Sequence, residues 1–155
     1  MQFRYKGLAP AEFSHLFGLT EDELKARGMR RMIADVKPGF PCRVTLEDAE
    51  PGEPVLLLPF EHQPAHSPYR AAGPIFVRET EHRAFDRAGE PPSVLGGRPL
   101  SARAYAADGM MVDADLTEGS EINTLLRKLF ASADTAYVHI HFARRGCYAC
   151  SVERE

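Results

Sequence analysis

Eleven of the twelve prolines in this 155-residue chain lie between Pro38 and Pro99. Proline breaks helix interiors and is kept out of central strand positions, so this distribution confines long regular elements to the two ends and leaves a middle of short strands and stiff loops. At this length a single domain spanning 1–155 is expected. With 44% hydrophobic and 26% charged residues, the chain has the composition of a folded globular protein. A net charge of -3 and a pI near 6.1 argue against a general nucleic-acid binder. The start, Met1-Gln2-Phe3-Arg4-Tyr5-Lys6-Gly7, lacks the apolar core of a signal peptide, and no stretch is long and apolar enough to span a bilayer. A cytoplasmic protein without a membrane partner is therefore expected, and its three cysteines are read as thiols rather than a disulfide framework.

Gln2 to Lys6 reads as a strand and Pro10 to Phe17 as a helix entered through proline. Thr20 with Glu23 forms a capping box for a second short helix that stops at Gly28, and Met29 to Asp35 reads as a strand. Pro54 to His62 and Ile75 to Glu79 are further strands. The loop between them, Gln63 to Gly73, concentrates His66, Ser67, Tyr69 and Arg70 between rigidifying prolines, in the manner of a functional lid. The last third predicts a hairpin around Asp108-Gly109, a helix over 118–132 with Ile122, Leu125, Leu126, Leu129 and Phe130 on one face, and a hairpin from Ala136 to Glu153. These elements predict an α+β domain: a mainly antiparallel, curved sheet with the long helix on its apolar face and two short N-terminal helices.

Three-residue loops ending in left-handed Gly109 and Gly146 fix a register for each hairpin. They place Ala104, Ala102 and Leu100 opposite Val112, Ala114 and Leu116, with Arg103 opposite Asp113 on the other face. They also place Phe142, Ile140 and Val138 opposite Tyr148, Cys150 and Val152, leaving His139, His141 and Cys147 on the polar face.

Histidines two apart on a strand project to one face, where they can share a metal ion, act as acid and base, or sit as satisfied polar side chains. Cys147 falls diagonally from His141, a position for a thiol activated by an imidazole. Cys147-x-x-Cys150 is not read as a redox or zinc pair, because positions three apart on a strand face opposite ways. Asp113 is a candidate to orient a histidine, with an ion pair to Arg103 as the competing reading. Arg70 is the candidate for holding a carboxylate or phosphate, with His62 and Tyr69 beside it at the mouth of the middle loop.

Gly39-Phe40-Pro41-Cys42-Arg43, His62-Gln63-Pro64, Ser67-Pro68-Tyr69-Arg70, Gly73-Pro74-Ile75-Phe76-Val77, Met111-Val112-Asp113-Ala114-Asp115 and His139-x-His141 with Gly146-Cys147 resemble the bacterial domain-of-unknown-function family 1203. The resemblance covers nearly the whole chain. It implies a single-domain bacterial protein of about this length and brings no activity with it. The chain departs from the family pattern at Phe142, where the pattern has asparagine, and at Cys150, which the pattern lacks.

Together these readings predict a polar small-molecule pocket. His139, His141, Cys147 and Asp113 are its candidate catalytic residues, and Arg70, His62 and Tyr69 its candidate substrate contacts. A single divalent metal on His139 and His141 is the cofactor considered. The partner is a small anionic molecule rather than nucleic acid or membrane. Acid-base or thiol-assisted chemistry, a non-catalytic binding module and a protein-interaction domain all remain open.

Overall fold

The computed structural model describes residues 1–155. Its first α-helix, α1 (Glu21–Ala26), starts at the predicted capping box: Glu23 N donates to Thr20 Oγ1 and Thr20 N donates to the Glu23 carboxylate. The helix expected over Pro10 to Phe17 is instead two 3-10 turns, Pro10–Glu12 and Ser14–Leu16, interrupted at Phe13. So short a segment nucleates poorly as an α-helix, and burial of Phe13 and Leu16 against the small sheet sets its path. The chain therefore has one short N-terminal α-helix rather than two.

Nine strands follow in chain order: β1 (Phe3–Lys6), β2 (Arg30–Ile33), β3 (Pro54–Gln63), β4 (Ala71–Arg78), β5 (Asp86–Ala88), β6 (Pro99–Tyr105), β7 (Met111–Glu118), β8 (Tyr137–Phe142) and β9 (Tyr148–Arg154). They form two antiparallel sheets where one was expected. The larger has the order β5-β1-β9-β8-β6-β7 and the smaller β2-β3-β4. The proline-punctuated middle pairs locally into the small sheet, with Leu56, Leu58, Ile75 and Val77 in its own core. The second α-helix, α2 (Ile122–Leu129), extends a 3-10 turn at Gly119–Glu121, giving eleven helical residues, fewer than the predicted span. Its Ile122, Leu125, Leu126 and Leu129 share a buried cluster with Ala102, Ala104, Val138, Ile140 and Val152.

Three strand irregularities reshape the predicted registers. In β6–β7, Tyr105 pairs with Met111 as expected, but Val112 is an extra residue, so the next partners are Ala104–Asp113, Arg103–Ala114 and Ala102–Asp115. Asp113 and Asp115 thereby move to the α2 side of the sheet, where Asp115 pairs with Lys128. At the edge of β7, Ala114 N donates to Asp113 Oδ1 and Leu116 N to Asp115 Oδ1, so the aspartates cover N–H groups of that strand. In β8–β9, Val138–Val152 and Ile140–Cys150 pair as predicted, but Ala149 is extra and Tyr148 faces His141 instead of Phe142. In β3–β4 the register shifts between Phe60 and Gln63.

Candidate functional site

His139 and His141 alternate along β8 with Val138, Ile140 and Phe142, which belong to the α2-side core, so both rings face the other way. His139 is 6% and His141 1% exposed. The bulge in β3 lets two consecutive residues reach the large sheet: His62 stacks on Tyr148, and Gln63 Nε2 donates to the Tyr137 hydroxyl at 3.0 Å. Tyr148 is available as that platform because the Ala149 bulge turns it to the histidine side. One ring nitrogen from each of His62, His139 and His141 lies within 4.8 Å of the other two.

The carbonyl oxygen of Gly146 can only accept, so the 3.0 Å contact from His141 Nδ1 makes that nitrogen the proton carrier and leaves the Nε2 lone pair free. That Nε2 is buried without a partner, as are His62 Nδ1 and His139 Nδ1. Burial, with repulsion from the neighbouring histidines and Arg103, pushes His139 down to about 3. Burial outweighs the Gly146 contact at His141 and lowers it to about 4, and His62 is lowered by burial and by Arg103. All three imidazoles are neutral at pH 7, the form that ligates metals. Tyr105, Tyr137 and Tyr148 pack around His139 with ring centroids 5.1–5.2 Å away.

Arg103 supplies the positive charge of the site. Its predicted partner, Asp113, is on the opposite face, and Arg103 has no carboxylate within ion-pairing distance. The missed roles of Arg103 and Tyr148 share one cause, since each follows from a bulge that inserts a residue between turn and site.

The other sequence candidates are dispersed. Tyr69 packs edge-on against Tyr105 at 6.3 Å, and its loop is tied down where Ser67 Oγ donates to Gly109 O. Gly109 (φ +85°) suits that contact, because a side chain there would collide with Ala65. Arg70 has its guanidinium taken up by two 3.1 Å bonds to Glu61 and is exposed. Asp113 is exposed on the helix side. Cys147 is outside the histidine cluster: it lines a separate cavity with Arg43 and Phe142.

The fold and the site together describe an α+β protein of two antiparallel sheets with a three-histidine cluster in which His139 and His141 are buried and His62 is half-buried. The chain belongs to the family described as "Protein of unknown function (DUF1203)", whose model matches residues 39–154. No curated protein and no solved structure matches it.

Proposed function

We propose that this chain is a metal-dependent enzyme acting on a small anionic substrate, with one divalent ion of the zinc class held by His62, His139 and His141. The observation that carries this reading is the set of three buried ring nitrogens without a partner, one on each histidine. Neutral buried imidazoles with nothing to bond cost free energy unless something occupies the space between them. Zinc–nitrogen bonds of about 2.0–2.1 Å would put ligand nitrogens about 3.3 Å apart, so nitrogens that lie within 4.8 Å of one another need close by no more than about 1.5 Å. The His141 contact to Gly146 is the outer-shell hydrogen bond that fixes a ligating tautomer.

Held by these three histidines, such an ion would supply Lewis-acid and acid-base chemistry near neutral pH. Arg103 holds the anionic group of the substrate beside it, taking the role the sequence suggested for Arg70. The reaction class is hydrolysis or hydration. Tyr105, Tyr137 and Tyr148 pack against His139 and orient its ring, and Gln63 holds the Tyr137 hydroxyl.

Cobalt(II) substitution tests the reading. One equivalent should produce the visible bands of a low-coordinate site, and added acetate should shift them. Arg103→Met should retain the bands while needing at least tenfold more acetate. Folded protein that develops no bands would overturn the proposal.

A further inference from the structure

A cavity of about 410 Å³, lined by none of the three histidines, has Arg43, Phe40, Phe76, Phe142, Arg144 and Arg145 among its walls. Its volume is that of a pocket for a small organic molecule. Arg43 is 3% exposed and forms no ion pair with a carboxylate. Its Nε donates to Tyr148 O and its Nη1 to Pro41 O, which anchors the guanidinium at two nitrogens and leaves Nη2 without a protein partner. Arg98, which also lines the cavity, has its guanidinium taken up by Asp48 at 2.8 and 3.0 Å and by Val94 O. The Arg43 and Arg98 guanidiniums lie 5.0 and 5.2 Å from the centroid of Phe142. Burial pulls Arg43 down to about 10, which still leaves it charged at neutral pH. A buried cation without a counter-charge is costly, and here it faces a cavity that an anion could fill.

We infer that this cavity binds an organic anion carrying a flat apolar group. Its carboxylate or phosphate bonds to Arg43, and its ring lies among Phe40, Phe76 and Phe142. Exposed Arg144 and Arg145, on the turn before Cys147, add long-range attraction and salt dependence. The Phe142 ring is the surface against which both guanidiniums pack. The inference does not depend on the metal reading: the cavity lining contains none of the three histidines, and the two sites meet at Tyr148, whose carbonyl anchors Arg43 while its ring stacks on His62.

Cys147 reports on occupancy, being the half-exposed thiol in the cavity wall while Cys42 and Cys150 are buried. Labelling by neutral iodoacetamide, located by peptide mass, is measured with benzoate, phenyl phosphate or inorganic phosphate present. Saturable slowing of at least fivefold by benzoate or phenyl phosphate is expected, and the two arms distinguish a carboxylate head from a phosphate. Inorganic phosphate should protect far less. Arg43→Met should abolish protection, and the surface variant Arg144→Ala/Arg145→Ala should weaken it at least threefold, which keeps the test decisive if the Arg43 variant does not fold. The inference is overturned if neither aryl anion protects, if inorganic phosphate protects equally well, or if both variants bind like the parent.

Discussion

His62 lies flat against Tyr148, with ring centroids 5.3 Å apart and planes 9° from parallel. One ring comes from the small sheet and the other from the large one, so this stack fixes how far His62 stands from His139 and His141. Centroid separations of 6.4 Å and 5.0 Å follow for those two pairs.

Tyr148 is therefore a positioning residue for the cluster. Tyr148→Phe keeps the stack, and its metal affinity should stay within about threefold of the parent. Tyr148→Ala removes a buried ring at a cost of about 3–5 kcal/mol and should weaken metal binding 10- to 100-fold, as loss of an outer-shell support does. Equilibrium unfolding and competitive zinc titration of the two variants measure both effects. Equal metal affinity in the alanine variant would remove the positioning role.

Acid should unfold the metal-free protein through the same histidines. Their native pKa values lie below the unfolded value of about 6.5, so the unfolded chain binds more protons in between. Stability from this source is fully present above about pH 6.5 and is lost as pH falls towards the native values of about 3 and 4. His139 and His141 should each contribute a slope of up to about 1.4 kcal/mol per pH unit within that window. Urea midpoints measured from pH 7 to pH 4.5 test the slope, and His139→Gln should make it shallower. A profile that is flat across this range contradicts the neutral buried imidazoles.

Thiol chemistry should ignore the histidines. Iodoacetamide should modify Cys147 in the native protein and reach Cys42 and Cys150 only on unfolding; Cys150 is fully buried and its thiol is pushed up to about 12 by burial. His141→Ala should leave the Cys147 rate within twofold of the parent, because the ring turns towards the other two histidines and the thiol towards the arginine cavity. A rate change of tenfold would restore the thiol–imidazole pair.

The parts of the site legible in the sequence were those set by short-range pattern. Strand alternation puts His139 and His141 on one side, and Gly146 with φ +80° closes the turn that the sequence demands. Thr20 and Glu23 likewise declare the start of α1 through contacts only three residues apart. Bulges are harder to see because they insert one residue without changing composition. Ala149 sits acceptably on either face of β9, and Val112 lies on an exposed edge strand where no core enforces register. Those two residues decide that Tyr148 joins the histidines and that Asp113 leaves Arg103. The recruitment of His62 depends on two sheets meeting across more than seventy residues, a relationship that no local periodicity encodes.

The proposed metal site needs three histidines, not two. The direct measurement is zinc bound at equilibrium dialysis to chelator-treated protein made without a metal-affinity tag, compared with His62→Ala, His139→Ala and His141→Ala. One equivalent is expected for the parent and at least a hundredfold weaker binding for each variant, His62→Ala included. A parent that binds no zinc, or a His62→Ala protein that binds it as tightly as the parent, would contradict that proposal.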